Sequence, residues 1–304
     1  MRFWYAPLGW QAVLLWPLSL VWSLVTRLWH LGFELGLRTP TRVEGANVIS
    51  VGNLVAGGAG KTPVVIHLAN EAVKQGHRVA VLTRGYGRTA SHALAFTSQH
   101  LPALSEAGDE PRLIARRCPG VTVFVGADRV ASARAAVSGG ATLLILDDGF
   151  QHRRLARDVD LLVDSGVGNG LVMPAGPLRE PSSGARRATH VWRRGEHFTS
   201  SVTSYRDAAG QAQSLTGKEV VLLLGVARPD LVRASVEAAG AKVTKLFACA
   251  DHHVFTADEL AAARSSGPLV LTTEKDAERL PEGHGLGTLT LELAGTAPLP
   301  FTAR

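Results

Sequence analysis

A short apolar strand, a glycine-rich turn and a helix that begins with Gly-Lys-Thr restrict the possible folds of this sequence most strongly. The run NVISVG (47–52) has the composition of a buried strand, and the turn after it ends in Gly60-Lys61-Thr62. Glycines let successive backbone N–H groups converge on phosphate oxygens, and the start of a helix adds its positive end. Lys61 is expected to reach the β- and γ-phosphates, and the Thr62 hydroxyl to bind Mg²⁺. The motif predicts a phosphate loop in an α/β fold.

The phosphate-binding residues predicted from this loop, for ATP or GTP, are Gly57, Gly58, Ala59, Gly60, Lys61 and Thr62. The usual pattern is G-x-x-x-x-G-K-[ST], and Val55 stands at its first glycine. Gly57 and Gly58 are expected to supply the missing flexibility. The alternative is a glycine-rich turn without a ligand, which the Gly-Lys-Thr after a buried strand disfavours.

A second acidic motif follows another apolar strand. Asp147 and Asp148 come directly after TLLIL (142–146). An acidic residue at this place holds Mg²⁺ opposite the threonine of the phosphate loop in many nucleotide-binding proteins. The alternative is a solvated strand end. Because the two motifs occur together, we predict that Thr62, Asp147 and Asp148 bind the metal.

Strand-like and helical runs alternate from residue 47 onward, which predicts a P-loop NTPase-like, mostly parallel sheet flanked by helices. Residues 166–187 are rich in Gly, Pro and Arg and are interpreted as loops that face the ligand. We therefore predict three parts: an N-terminal helical segment (1–40), a nucleotide-binding core domain (41–205) and a smaller C-terminal α/β domain (206–304).

The N-terminal segment is strongly apolar. It has 24 uncharged residues between Arg2 and Arg27, and it carries five of the six tryptophans. The length suffices for a membrane span, although Pro7 and Pro17 interrupt it and tryptophan favours the membrane–water interface. Three interpretations stay open: a membrane span, a helix in the interface, or a helix packed on the protein core.

Charge and cysteine content narrow the partners and the compartment. The net charge of +6 suits phosphorylated substrates or an anionic membrane, but there is no basic run or aromatic stripe typical of nucleic-acid binding. The two cysteines, Cys118 and Cys249, form no CxxC motif, which fits a reducing cytosol. We predict no nucleic-acid partner, and no obligate protein partner is evident.

Several strings together resemble the tetraacyldisaccharide 4′-kinase family, which phosphorylates the 4′-hydroxyl of the lipid A precursor. They are SVGNLVAGGAGKTP (50–63), LTRGYGR (82–88), GDEP (108–111), ADRV (127–130), ILDDGFQHRRLARD (145–158), MPAGPLREP (173–181), DHHVF (251–255) and TTEKD (272–276). The match runs in order from about residue 40 to about residue 280. Val55, Ala56 and LGVARPD (224–230) depart from the family pattern.

The resemblance implies transfer of the γ-phosphate of ATP to a sugar hydroxyl, with Lys61, Thr62 and Mg²⁺ neutralising the phosphate charge. The alcohol also needs a proton acceptor. By resemblance the catalytic base is Asp109 and its partner is His252. His253 is the alternative to His252.

Further residues in the family strings have two interpretations each. Arg84, Arg129 and Arg179 are candidates to clamp ATP phosphates or the substrate's 1-phosphate, or they form structural ion pairs; Glu180 is a candidate nucleotide or metal contact, and Gln151 and His152 are candidates to meet Mg²⁺ or phosphate. Lys275-Asp276 either reads the nucleotide base or begins a helix that Thr273 caps.

The implied substrate, tetraacyldisaccharide 1-phosphate, is a glycolipid, so the N-terminal segment is expected to hold the enzyme at the cytoplasmic face of the inner membrane. Two competing functions stay open. One is a P-loop switch or ATPase that recruits proteins to the membrane. The other is a non-catalytic glycolipid-binding protein, which the intact Lys61, Thr62 and Asp147 disfavour.

Overall fold

The computed structural model describes residues 2–6, 8–58, 60–295 and 297–300, and these form two β-sheets flanked by helices. The α-helices are α1 (Trp10–Glu34), α2 (Lys61–Lys74), α3 (Leu104–Ala107), α4 (Asp109–Arg117), α5 (Arg129–Ser138), α6 (Pro229–Ala238), α7 (Ala257–Ser265) and α8 (Glu274–Ala277), with 3-10 helices at Arg2–Tyr5 and Ser182–Arg187. The strands are β1 (Asn47–Gly52), β2 (Val79–Thr83), β3 (Leu94–Phe96), β4 (Thr122–Val125), β5 (Leu143–Asp147), β6 (Val159–Asp164), β7 (His190–Arg193), β8 (Phe198–Arg206), β9 (Ala212–Gln213), β10 (Glu219–Leu224), β11 (Lys242–Ala248), β12 (Val270–Thr273) and β13 (Gly287–Gly295).

The first sheet has the order β3-β4-β2-β5-β1-β6-β7, and only the edge strand β3 runs antiparallel to its neighbour. The prediction of a mostly parallel sheet is confirmed. β1 lies next to β5, with Val51 opposite Asp147. Because parallel strands end at the same edge, the phosphate loop after β1 and the aspartates after β5 meet there.

The central strands of this sheet are buried on both faces, as expected for a parallel sheet covered by helices. All five residues of β2 and of β5 are buried. On one face, α2 packs Val64, Val65 and Leu68 against the sheet. On the other face, α5 packs Ala133 and Ala136 against Leu144 and Leu146 of β5. This packing fixes the strand ends that carry the site.

The second sheet has the order β11-β10-β12-β13-β8-β9. β11, β10, β12 and β13 are parallel, whereas β8 runs antiparallel to both β13 and β9. The sequence places residues 198–205 in the core domain, but β8 pairs along its length with β13. The chain therefore passes from one sheet to the other at residues 194–197. The domain limits themselves stay a prediction.

Helix α1 projects a largely exposed apolar surface. Only Ala12, Ser19 and His30 are buried in it, and it is long and apolar enough to cross a membrane. Pro17 lies inside α1 without ending it, and Pro7 lies outside the described residues. The Ser19 hydroxyl donates to the carbonyl of Val172 at 2.7 Å and accepts from the Ala175 N–H at 2.9 Å. These bonds fasten α1 to the loop that leads to the site.

Candidate active site

The phosphate loop owes its shape to three glycines. Gly57, Gly58 and Gly60 have φ values of +75°, +53° and +74°, which residues with a side chain rarely adopt. Val55 is buried and forms a bridge with Leu178, so it anchors the loop rather than bending it. Ala59 lies outside the described residues. The expectation that Gly57 and Gly58 replace the usual first glycine is confirmed in the backbone.

Lys61 points at the acidic end of β5. Its Nζ lies 3.1 Å from Asp148 Oδ1 and donates to Asn53 Oδ1 at 3.1 Å. Arg179 Nη1 donates to both carboxylate oxygens of Asp148 at 2.8 Å. Burial raises the pKa of Asp148, but the Lys61 and Arg179 charges outweigh it and the pKa lies below its ordinary value. Asp148 also has a φ of +55°, a strained backbone typical of functional positions.

Asp147 is buried near Asp148 and Lys61. It accepts a hydrogen bond from the Thr83 hydroxyl at 3.1 Å. Burial, together with the Glu110 and Asp148 carboxylates, raises the pKa of Asp147 to about 7. Such a surplus of buried negative charge is what a divalent cation neutralises, and carboxylate and hydroxyl oxygens are the ligands that Mg²⁺ prefers. The residues present therefore fit the expected metal.

The side chains of Asp109 and His252 meet although they follow from different sheets of the structure. Asp109 begins α4, next to the first sheet, and His252 lies in the loop after β11 of the second sheet. His252 Nδ1 lies 2.9 Å from Asp109 Oδ2. His253 instead places its Nε2 2.9 Å from a carboxylate oxygen of Glu259, at the start of α7. Of the two candidate histidines, the structure brings only His252 to Asp109.

A third residue, Arg279, binds Asp109, the buried member of this pair. Its Nη1 donates to Asp109 Oδ2 at 2.7 Å, and both side chains are 3% exposed. Burial raises the pKa of Asp109, but the His252 hydrogen bond and the Lys275 and Arg279 charges bring it below its ordinary value. The bond to Asp109 raises the pKa of His252. Asp109 is therefore an ionised, buried carboxylate, whereas His252 lines the cleft.

Lys275 approaches the same group of residues. Its Nζ donates to Glu110 Oε1 at 3.0 Å and lies 3.4 Å from His252 Nε2. The Thr273 hydroxyl accepts from the Asp276 N–H at 3.0 Å, so Thr273 caps α8. The helix-cap interpretation of this segment is confirmed.

Gln151 and Glu180 connect the phosphate loop to α1. Gln151 Nε2 donates to the Asn53 carbonyl and to Glu180 Oε1, both at 2.9 Å. Glu180 is 1% exposed and also lies 3.0 Å from His30 Nε2 of α1 and 2.8 Å from Arg187 Nη2. Every oxygen of Glu180 is thus occupied by protein groups. In this conformation Glu180 joins α1 to the site.

Two further candidate residues, Arg129 and His152, differ in charge. Arg129 is 5% exposed and donates to the Gly126 carbonyl; burial lowers the pKa of Arg129 to about 10, still far above neutrality. Burial and the nearby Arg129 and Arg157 lower the pKa of His152 to about 4. His152 is therefore neutral at pH 7. A neutral ring is a poor phosphate ligand compared with the arginines.

These residues surround one cleft of about 1400 Å³ between the two sheets. Its lining includes Gly57, Gly58, Gly60, Lys61, Thr62, Arg84, Arg129, Asp147, Asp148, Gln151, Arg179, Glu180 and His252. Trp22 and Trp29 of α1 also line it. The cleft is also lined by Arg194 and Arg228, which the sequence motifs do not indicate. The motifs do not indicate Arg279 either, which contacts Asp109. None of the three lies in a motif that marks a phosphate or catalytic site.

Comparisons with known proteins give one answer. A family model described as tetraacyldisaccharide-1-P 4′-kinase matches residues 11–297. The tetraacyldisaccharide 4′-kinase of Anaeromyxobacter dehalogenans strain 2CP-C is 43% identical over 82% of this chain and 76% of its own, and that of Polaromonas sp. strain JS666 is 39% identical over 96% and 89%. The crystal structure of LpxK from Aquifex aeolicus in complex with ATP aligns with a TM-score of 0.79 and 28% identity, over 93% of this chain and 94% of that chain. The chain therefore belongs to the tetraacyldisaccharide 4′-kinase family and is an ATP-dependent kinase of lipid A synthesis.

Proposed function

We propose that this chain transfers the γ-phosphate of ATP to the 4′-hydroxyl of tetraacyldisaccharide 1-phosphate by means of the residues described above. The observation that carries the proposal is the contact between Asp109 and His252, at 2.9 Å, beside the cleft that contains Lys61. A proton acceptor and a phosphate loop in one cleft are what phosphoryl transfer to an alcohol requires.

Where the cleft meets the phosphate loop, it contains cations that can exchange one anionic partner for another. Lys61 and Arg179 pair with Asp148 in this structure. When ATP enters, its γ- and β-phosphates compete with the Asp148 carboxylate for both cations, because phosphate oxygens also accept charge-assisted hydrogen bonds. Thr62, Asp147, Asp148 and Gln151 are the residues that would hold Mg²⁺, which when bound neutralises phosphate charge.

Asp109 and His252 act on the hydroxyl as a pair. The sequence predicts Asp109 as the base and His252 as its partner. Asp109 is buried and ionised, and the raised pKa of His252 makes its imidazole a stronger base than an ordinary histidine. The pair accepts the hydroxyl proton as the phosphoryl group transfers, and Arg279 keeps the carboxylate oriented by its 2.7 Å hydrogen bond.

Helix α1 brings the site to its lipid substrate. Its exposed apolar side chains, Trp10, Leu14 and Trp16 among them, suit a membrane, and Trp22 and Trp29 line the cleft. A glycolipid held in the membrane can thus present its sugars to the phosphate loop. We place the enzyme at the cytoplasmic face of the inner membrane, where ATP is available.

The test uses the full chain in detergent micelles with labelled ATP, Mg²⁺ and tetraacyldisaccharide 1-phosphate. We expect a labelled 4′-phosphate product, lost in Lys61→Ala. His252→Asn should lower kcat by about 10²–10⁴-fold. His253→Asn is the matched control, because the neighbouring ring faces Glu259, and it should keep kcat within a few-fold of the wild type.

Two results would contradict the proposal. No lipid product from the wild-type chain would remove the kinase activity, and ATP hydrolysis without lipid phosphorylation would favour the P-loop switch. Equal losses in His252→Asn and His253→Asn would remove the assignment of the proton acceptor.

A further inference from the structure

Arg194 joins the two sheets and reaches the phosphate loop. It follows β7 directly, and its backbone N–H donates to the Asp164 carbonyl at 2.9 Å, which fixes it at the end of the first sheet. Its side chain lies against the last glycine of the loop, since a Cβ placed on Gly60 would stand only 2.5 Å from Arg194 Nη2. The guanidinium is therefore next to the residue that precedes Lys61.

The other cations beside the loop have carboxylate partners. Lys61 and Arg179 pair with Asp148, and Arg228 pairs with Asp230 at 2.8 Å. Within the ranges that the structure describes, Arg194 has neither an ion pair nor a side-chain hydrogen bond, and its Nε is buried without a partner. Its guanidinium carbon lies 6.0 Å from the centroid of the Phe198 ring.

The surroundings of Arg194 favour an anion. Burial, followed by the charge of Arg228, lowers the pKa of Arg194. Arg228 itself lies against the loop, with its Cγ 3.4 Å from a Cβ placed on Gly58. Two guanidinium groups beside one phosphate loop repel each other unless negative charge lies near both. A polyphosphate supplies that charge, and guanidinium groups bind it through paired hydrogen bonds.

We propose that Arg194 binds the polyphosphate of ATP beside Gly60. The proposal rests on the ATP site of the proposed function and adds a contact that no motif marks. The nucleotide is favoured over the 1-phosphate of the lipid because the side chain lies against the phosphate loop itself.

The experiment compares Arg194→Ala, Arg194→Lys and Arg193→Ala in the full chain in detergent micelles. Arg193 is the matched control, because its side chain is 54% exposed and lies 3.7 Å from Asp164 and 3.5 Å from Glu196. We expect Arg194→Ala to weaken ATP binding about 10- to 100-fold, as for the loss of charge-assisted hydrogen bonds. Arg194→Lys should weaken it less, and Arg193→Ala should leave it within about twofold. KM for the lipid should not change in any variant.

Binding is measured with ATP and ADP separately, by titration calorimetry, and folding is checked by the melting temperature. Wild-type ATP affinity and kcat in Arg194→Ala would overturn the proposal, and so would an effect confined to KM for the lipid. If Arg194→Ala has a lowered melting temperature, the ATP affinity of Arg194→Lys decides whether the proposal stands. Lysine keeps the aliphatic stem and the charge but loses the planar guanidinium. If the wild-type chain forms no lipid product, only the proposed function is contradicted. The role of Arg194 is still tested, because ATP affinity is measured without lipid.

Discussion

Replacing Asp109 by alanine separates what this carboxylate does for the fold from what it does for the reaction. Asp109 Oδ2 accepts from Arg279 Nη1 at 2.7 Å, with both side chains 3% exposed. It also lies 2.9 Å from His252 Nδ1. The alanine therefore removes a proton acceptor and leaves a buried guanidinium with fewer partners.

The cost to stability follows from the partners that remain. Arg279 Nη2 still donates to the Gly225 carbonyl at 2.9 Å and to Asp276. The loss is thus close to one charge-assisted hydrogen bond, about 1.5–3 kcal/mol, rather than the 3–5 kcal/mol of a fully orphaned buried charge. At roughly 2–4 °C per kcal/mol, the melting temperature should fall by about 3–12 °C. Loss of the base should lower kcat by about 10²–10⁴-fold.

Thermal melting and the labelled-ATP assay are run on Asp109→Ala and on the double variant Asp109→Ala/Arg279→Met. The methionine also removes the partner of the buried Asp276 carboxylate, so the double variant should melt below Asp109→Ala and regain none of the lost turnover. ATP affinity should stay near the wild-type value in both variants. Turnover within about tenfold of the wild type in Asp109→Ala would refute the proton-acceptor role.

Three shorter predictions follow. Because the bond to Asp109 raises the pKa of His252 above its ordinary 6.5, the stability it contributes is complete below that pH and is lost as pH rises through the raised pKa. The difference in melting temperature between the wild type and His252→Asn should therefore shrink from about pH 6 to about pH 9, and a constant difference would contradict this. Gly52→Ala would place its Cβ 2.5 Å from Phe150 Cβ, so both melting temperature and turnover should fall, whereas Gly139→Ala, with no contact under 3.4 Å, should melt like the wild type; equal melting of the two would be the contrary result. Removal of α1 should release the protein from membranes in a flotation assay, and continued flotation would count against the anchor.

The elements around the phosphate loop could be predicted because local and tertiary signals agree there. β1 and β5 have the composition of buried strands, and they form strands close to the expected bounds. β8 and β13 were not predicted. β8 has the sequence FTSSVTSYR, of which Phe198, Val202 and Tyr205 are buried. Its serines and threonines are typical of a polar linker, so the sequence does not indicate a strand there. Its strand character depends on β13, which lies about 90 residues away in the chain.

The site was predictable where a motif carries its own chemistry. Lys61, Thr62 and Asp147 follow from the nucleotide-binding pattern, and the family resemblance selects Asp109 and His252. Neither source indicates Arg194, because its role depends on where the chain turns between the two sheets. Arg279 is likewise an ordinary arginine, two residues beyond the end of the short helix α8, and only the folded structure places it against Asp109.

The attachment of α1 bears on inhibitor discovery. Trp22 and Trp29 line the cleft, and the Trp22 indole donates at 2.9 Å to the carbonyl of Arg179, whose guanidinium holds Asp148. A shortened protein without α1 would lose the part of the cleft lining that α1 contributes. Compounds are therefore best screened against the intact chain in an amphiphile. The lining of the cleft favours ligands with an anionic group that binds the glycine-rich loop and an apolar tail that packs against the tryptophans.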